Sequence, residues 1–248
     1  MKRPRLTLLI VFSLSTIGNA AIITFAGNDS GAGFGVAHPS SDAAQASFAA
    51  AAGLLGSGGL ITFESTALGT IPNGVPFNLG AGVTVTLNNN DPTCCSSGNT
   101  GISNDNTNNV LGFNITAGGS RFLRVAPMFD GGTVTAVFNF AIPIVAFGAY
   151  FTGTETTVDG TYTIIFNDGS AQSLPLTKNA VAGTQFFGFT DVGMTIASVT
   201  INEAGPFSSR DIWGLDNLQF TSVPEPGAIP LFLLFVPALA LAARLRRK

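Results

Sequence analysis

Short apolar segments that alternate with polar residues run from Leu60 to Phe220, and they restrict the fold more than any other feature. The alternation is clearest in TVTAVFNF at 133–140 and TYTIIF at 161–166, and a period of two is typical of strands with one buried face. Gly, Asn, Asp and Pro separate the segments, and NDGS at 167–170 is typical of a hairpin turn. The pattern predicts about ten strands: Leu60–Glu64, Val83–Asn88, Val110–Ile115, Arg121–Ala126, Thr133–Phe140, Ile144–Phe151, Thr161–Asn167, Phe186–Phe189, Met194–Asn202 and Ile212–Phe220.

Strands at this spacing predict a mainly β fold, an antiparallel β-sandwich with jelly-roll-like topology over residues 60–221. The 21 Phe residues supply enough apolar surface to exclude disorder. The preceding residues 21–59 form a Gly- and Ala-rich segment. In it, Ser41 or Asp42 is predicted to cap a short helix over Ala43–Leu55 that Gly56 ends and that packs on the flank of the domain.

Residues 1–20 have the three parts of a secretory signal peptide. Basic residues precede the apolar run LTLLIVFSLSTI at 6–17, and the small residues Gly18 and Ala20 follow it. The run is too short to span a bilayer, so we expect export and cleavage by signal peptidase after Ala20. An uncleaved anchor or a buried helix is the alternative.

Residues 222–248 form a distinct tail in three parts. Val223, Pro224, Glu225 and Pro226 are followed by the apolar run 228–243. At about 1.5 Å per residue this run reaches about 24 Å, which predicts a transmembrane helix slightly shorter than a hydrocarbon core of about 30 Å. Basic residues end the tail and predict a membrane stop on the cytoplasmic side: Arg244, Arg246, Arg247 and Lys248. An ordinary anchor after a stiff linker explains the same residues.

This tail resembles the PEP-CTERM sorting signal of Gram-negative bacteria, a tail that is also called the ice-binding protein C-terminal domain. The resemblance implies that exosortase, a membrane-embedded enzyme, is a partner and processes the protein near the Pro-Glu-Pro motif. It also implies transient anchoring in the inner membrane and a final location at the cell surface or in the extracellular matrix, with exopolysaccharide. The Thr residues form no short repeating ladder, and their spacing is ordinary strand composition rather than an indication of ice binding.

The charge of the body differs from that of the ends. Between the basic residues at 2–5 and those at 244–248, only four basic residues stand against all 14 Asp and Glu, so this interior has a formal charge of −10: Arg121, Arg124, Lys178 and Arg210. Such a charge repels nucleic acid, which excludes nucleic-acid binding, and it favours cations.

The inventory of reactive side chains argues against an enzyme. His38 is the single histidine and precedes the strands, which excludes a Ser-His-Asp or Cys-His site within the β-domain. One His and two adjacent Cys also cannot form the usual tetrahedral zinc site. A pair of carboxylates could hydrolyse glycosides at a suitable separation, which sequence does not provide. No catalytic residue is therefore predicted.

Calcium is the one cofactor that the sequence suggests. Glu64 ends the first predicted strand of the domain, and Asp216 and Asn217 lie in the last one. First and last strands are often neighbours in jelly rolls, and this set resembles the structural calcium position of many carbohydrate-binding sandwich modules. Carboxylate and amide oxygens suit Ca²⁺. The alternative is that Asp216 and Asn217 only form a turn.

Trp213 is the candidate glycan-binding residue. It is the only Trp, and Tyr150 and Tyr162 are the only Tyr residues, so aromatic side chains that both stack and form hydrogen bonds are few. A single Trp in a closing strand is also a typical core residue.

Cys94 and Cys95 are adjacent and are the only cysteines. In an oxidising compartment they could form a vicinal disulfide. Two free thiols or pairing between chains are the alternatives.

These features predict an exported, non-enzymatic cell-surface or extracellular-matrix protein that is sorted by its tail and associates with exopolysaccharide. A carbohydrate-binding β-sandwich module is the alternative. A carboxylate-based polysaccharide hydrolase is the third hypothesis.

Overall fold

The computed structural model describes residues 22–94, 100–128, 133–155, 161–167, 171–176, 179, 181–192, 194–204 and 211–222. In this part of the chain the fold is mainly β, with antiparallel pairing between all neighbouring strands, one α-helix and one short 3₁₀ helix. The elements, in chain order, are β1 (Ile22–Ser30), α1 (Pro39–Gly53), β2 (Ser57–Ile61), β3 (Gly69–Thr70), β4 (Phe77–Gly80), β5 (Val83–Asn88), β6 (Gly101–Ser103), the 3₁₀ helix (Asn109–Leu111), β7 (Phe122–Val125), β8 (Val134–Thr152), β9 (Thr161–Asn167), β10 (Ala171–Leu176), β11 (Gly183–Asp191), β12 (Ile196–Ala204) and β13 (Trp213–Ser222).

The 19-residue strand β8 organises the sheet because its two halves have different neighbours. Its first half pairs with β12 and β5, and β9, β10 and β4 extend that group. Its second half pairs with β11 and β13, and β1, β2 and β7 extend the second group. One strand therefore belongs to two sets of antiparallel strands.

The larger hydrophobic cluster contains residues from both sets. Phe138 and Val85 enter it from the first set, and Phe147, Phe151 and Phe189 enter it from the second. All five side chains are buried. Burial alternates with a period of two in β5 and in the first half of β8, which places Val85 and Phe138 on the buried side of their strands. The second half of β8 and all of β11 are buried throughout, and burial of this apolar surface is the main source of stability.

The helix α1 covers the opposite face of the second set. Phe48 packs there with Tyr150 and Phe186 in a smaller cluster. Gly148 of β8 is paired with Gly188 of β11 directly beneath the Phe48 ring. A Cβ at Gly188 would lie only 2.8 Å from Phe48 Cδ2, so the paired glycines form the recess that the ring fills.

Several expectations from the sequence are confirmed, and others are corrected. The strands at Val83–Asn88 and Thr161–Asn167 have the predicted bounds. The strands expected at Thr133–Phe140 and Ile144–Phe151 are one continuous strand. The strand expected at Val110–Ile115 is wrong, because the side chain of Asn108 accepts a hydrogen bond from Val110 N and starts a 3₁₀ turn instead.

The N-terminal region also differs from the expectation. The predicted helix exists but begins at Pro39 and ends at Gly53, and neither Ser41 nor Asp42 caps it. Its first N–H groups instead reach back to β1, where Asp29 accepts from Ser41 N at 2.7 Å. The strand β1 itself pairs with β11. The carboxylate of Asp29, on a neighbouring strand, therefore caps the helix in place of the predicted Ser41 or Asp42.

Among the described residues, no helix combines the length and the apolarity that a bilayer requires. The predicted helix at 228–243 lies outside the described residues.

Candidate functional groove

A groove of about 510 Å³ opens beside the N-terminus of α1. One wall is the loop from Gly33 to His38, between β1 and α1, and the other is the loop from Asn114 to Gly119, which precedes β7. It is larger than the groove of about 290 Å³ between α1 and β2. Its size lies within the range of about 300–1,000 Å³ that is usual for ligand sites.

The first wall is held by the 3₁₀ helix. The side chain of Asn109 accepts a hydrogen bond from Phe34 N at 3.2 Å. A Cβ at Gly33 would lie 2.0 Å from Nδ2 of the same side chain, so a larger residue there would displace Asn109. The backbone of Gly33 and Phe34 is therefore fixed by contacts from outside the loop.

The second wall is held by the carboxylates of Glu64 and Asp216. Glu64 Oε1 accepts from Arg121 N at 2.9 Å, and Asp216 Oδ2 accepts from Ile115 N at 2.9 Å. Between them, Asn114 Nδ2 lies 2.8 Å from Glu64 Oε1 and 3.0 Å from Asp216 Oδ2. The buried Asp216 and the half-buried Glu64 thus fix the beginning and the end of this loop.

The predicted calcium residues are brought together here. Asp216 and Asn217 occupy a β-bulge in β13, where Asn217 has a φ of 47°. Asn217 Oδ1 accepts from Thr116 Oγ1 at 2.8 Å, on the same loop that Glu64 holds. Burial raises the pKa of Asp216 to about 7, although hydrogen bonds from Ile115, Asn217 and Thr116 lower it.

The donor set fits Ca²⁺ in its chemistry. Glu64 Oε1, Asp216 Oδ2 and Arg121 O all converge within 3.0 Å of Asn114 Nδ2, although an amide nitrogen has only two hydrogens. The buried Asn114 Oδ1 has no hydrogen-bond partner in the described structure. These are oxygen ligands of the kind that Ca²⁺ prefers. Among the described residues no three His, Cys, Asp or Glu side chains are placed to hold a metal ion together, so amide and carbonyl oxygens would have to complete a calcium site.

The aromatic candidates are corrected by the structure. Trp213 is fully buried and packs against Phe151 at a centroid distance of 6.1 Å, so it cannot stack on a glycan. Tyr150 is 4% exposed, and no side-chain environment is described for Tyr162. Phe34, at 46% exposure in the groove wall, is the exposed aromatic among the side chains that the structure describes.

His38 forms a cluster with Asp42 and Tyr150 at the helix end of the groove. His38 Nδ1 lies 2.9 Å from Asp42 Oδ1, and the Tyr150 hydroxyl donates to the same oxygen at 2.8 Å. The pKa of Tyr150 is raised by burial, then by the hydrogen bond to Asp42 and by the charges of Asp42 and Asp29. Tyr150 therefore remains a hydrogen-bond donor at any physiological pH.

The other predicted site residues lie at or beyond the limits of the described chain. Cys94 takes part in a disulfide bond, whereas Cys95 lies outside the described residues, and their mutual pairing stays a prediction. The predicted cleavage site at Ala20 and the predicted sorting and stop residues also lie outside the described residues and stay predictions: Val223, Pro224, Glu225, Pro226, Arg244, Arg246, Arg247 and Lys248.

Comparison with known proteins gives no family. No family model matches the chain, and no curated protein matches it. Among solved structures, the chain is similar to the K2 cleaved adhesin domain of Lys-gingipain, with 14% identity, a TM-score of 0.40 and coverage of 66% of this chain and 98% of that one. It is also similar to the CBM22-1 xylan-binding domain of Xyn10C from Paenibacillus barcinonensis, with 13% identity, a TM-score of 0.31 and coverage of 68% and 98%. These TM-scores are low, so the likenesses assign neither a family nor an activity.

Sequence reasoning missed Phe34 as the exposed aromatic. The available signal was its position between Gly33 and Gly35 in a segment without strand alternation, where no sheet face can bury a side chain. The grouping of His38 with Tyr150 had no such signal, because 112 positions along the sequence separate them.

Proposed function

We propose that the protein is a non-enzymatic carbohydrate-binding module with a jelly-roll-like β-sandwich fold, and that the groove beside α1 is its glycan site. The observation that carries this proposal is the exposed ring of Phe34 in a groove with polar groups from His38 and Thr116. Sugar rings stack on aromatic faces, and their hydroxyls require hydrogen-bond partners near that face.

The rigidity of both walls supports a binding role. Asn109 holds one wall, and Glu64 and Asp216 hold the other. Groups that are fixed before the ligand arrives lose little conformational entropy on binding. Weak contacts with individual hydroxyls can then give useful affinity.

A glycan panel tests the proposal with the full-length protein. We expect saturable binding to at least one neutral polysaccharide, and a loss of about tenfold or more in affinity for Phe34→Ala, because one stacking contact is removed. Leu54→Ala is the matched control, since Leu54 is 88% exposed and lies at the opposite end of α1. If Phe34→Ala leaves binding unchanged, the groove is not the glycan site. If the protein hydrolyses a polysaccharide, the non-enzymatic role is wrong.

A second candidate is an exported matrix protein that is embedded in exopolysaccharide without a specific glycan site. The tail favours it, since Val223 to Pro226, the apolar run 228–243 and the basic end together resemble a PEP-CTERM signal. Its partners would be signal peptidase, exosortase and exopolysaccharide, with the inner membrane as a transient anchor. Retention in the matrix without binding to any isolated glycan is its distinguishing result.

A further inference from the structure

His38 is the one ionisable side chain that lines the groove. Its side chain is 17% exposed, while its Nδ1 atom is buried against Asp42. The exposed part of the ring therefore belongs to the opposite edge, which carries Nε2. The imidazole presents that edge to the groove.

Asp42 determines which ring nitrogen carries the proton. The Nδ1 to Oδ1 distance is 2.9 Å, although the approach lies outside the angles of a full hydrogen bond. A carboxylate oxygen only accepts, so an unprotonated Nδ1 would place a lone pair against it. In the neutral imidazole the proton is accordingly on Nδ1, and Nε2 has a free lone pair.

Tyr150 fixes the carboxylate in turn. Its hydroxyl donates to Asp42 Oδ1 at 2.8 Å, and its ring meets the His38 ring edge-on at 5.6 Å. Tyr150 is itself held in the cluster beneath α1 with Phe48 and Phe186. The orientation of the imidazole is therefore set by a strand of the sheet rather than by the loop alone.

We propose that His38 is a ligand-contacting residue of the groove, that its Nε2 accepts a hydrogen bond from a hydroxyl of a neutral sugar, and that Asp42 and Tyr150 are positioning residues. This inference rests on the proposed glycan function. The ligand is neutral because the walls GFGVAH at 33–38 and NITAGG at 114–119 contain no Lys or Arg. Asp29 and Asp42 lie beside the groove as well, and their charges disfavour uronic acids.

The orientation is tested without any ligand. Because the chain contains one histidine, the ¹⁵N signals of an imidazole in the full-length protein belong to His38 alone. We expect the Nδ1–H tautomer in the neutral wild-type ring and a shift towards Nε2–H in Asp42→Asn, with a mixture in Tyr150→Phe. A wild-type ring in the Nε2–H form would overturn the proposed positioning.

Binding tests the contact itself. Titration with the hexasaccharides of cellulose, xylan and mannan, and with hexaguluronate as an acidic probe, should show binding to a neutral probe only. We expect about a tenfold loss of affinity for His38→Ala, the effect of one hydrogen bond, and a smaller loss for Tyr150→Phe, with Leu54→Ala unchanged.

The outcomes separate the two proposals. Wild-type binding to a neutral probe that survives His38→Ala would overturn the role of His38 and leave the glycan function intact. Preference for hexaguluronate would overturn the neutral ligand. If the wild type binds no probe at all, the proposed function fails and the inference fails with it.

Discussion

At the scale of single residues, long-range capping is the feature that local sequence does not reveal. Asp29 in β1 accepts hydrogen bonds from Ser40 N at 3.1 Å and from Ser41 N at 2.7 Å, which are among the first N–H groups of α1. Its pKa is raised by burial, but the hydrogen bonds from Ser41 and Ser40 outweigh this and hold the pKa below its ordinary value. The charged carboxylate also interacts favourably with the helix dipole.

Replacing Asp29 by Ala should lower the free energy of unfolding by about 1 kcal/mol, the usual cost of a lost helix cap. A depressed native pKa gives stability that is present above the unfolded pKa and is lost as the pH falls through the native value. The difference between wild type and Asp29→Ala should therefore begin to shrink below about pH 4, the pKa of an unfolded Asp, and be lost as the pH falls through the lower native pKa. Thermal melts at several pH values measure it, with the exposed neighbour Asn28→Ala as control. A difference that persists at the acid end would contradict the capping role.

At the scale of elements, the helix is docked by a recess rather than by an extended apolar stripe. Phe48 enters the space above the paired residues Gly148 and Gly188, and its contacts with Phe25 and Phe186 surround the ring. Because the groove wall from Gly33 to His38 leads directly into α1, docking of the helix also places that wall.

Gly188→Ala should therefore destabilise the protein by about 1–3 kcal/mol, the usual cost of overpacking. Its Cβ would lie 2.8 Å from Phe48 Cδ2. Gly53→Ala is the matched control, because a Cβ there meets nothing within 4 Å and Ala is the better helix residue. Urea unfolding of both variants gives the comparison. Equal stabilities would show that Phe48 does not fill the recess.

Glu64 and Asp216 hold the loop from Asn114 to Gly119. The calcium hypothesis predicts that a bound ion would stabilise these contacts further. We expect millimolar Ca²⁺ to raise the melting temperature and EDTA to lower it, because a ligand of the native state stabilises it by mass action. Asp216→Asn should lose this response while Asp42→Asn keeps it. Melting temperatures that are identical with Ca²⁺ and with EDTA would leave the hydrogen bonds of Glu64 and Asp216 as the sole anchors.

At the scale of the whole molecule, the described fold ends where the predicted sorting tail begins. The last described strand, β13, ends at Ser222, and the predicted sorting motif begins at Val223. Processing near the motif would release the described strands without cutting any of them. The glycan groove would then accompany the mature protein to the cell surface.

Mass spectrometry of the exported protein should find a C-terminus between Val223 and Gly227 and an N-terminus at Ala21. The physical basis is the order of signal peptide, body and basic-ended apolar tail. Deletion of the exosortase gene is the control and should leave the tail attached. Mature protein that retains Arg244 to Lys248 in the normal strain would reduce the tail to a plain anchor.

The sequence by itself determined the β-rich class and the position of many strands, since alternation with a period of two is a local property that reflects which face is buried. It also indicated that Glu64 lies near Asp216 and Asn217, because β2, the strand before Glu64, pairs with β13. The contacts of Asn114 were not predicted, because the sequence pattern assigned it to a strand at Val110–Ile115, where the structure has a 3₁₀ turn followed by a loop.

Only the tertiary structure determined which side chains are exposed and which of them contact one another. Trp213 and Phe34 are both aromatic residues in the sequence, yet one is fully buried in β13 and the other is 46% exposed between two glycines. His38 and Tyr150 meet because α1 packs on the face of β8. Local pattern determines which way a side chain points from its own strand, whereas burial and contact depend on what packs over that face, and this is set by residues far away in the chain.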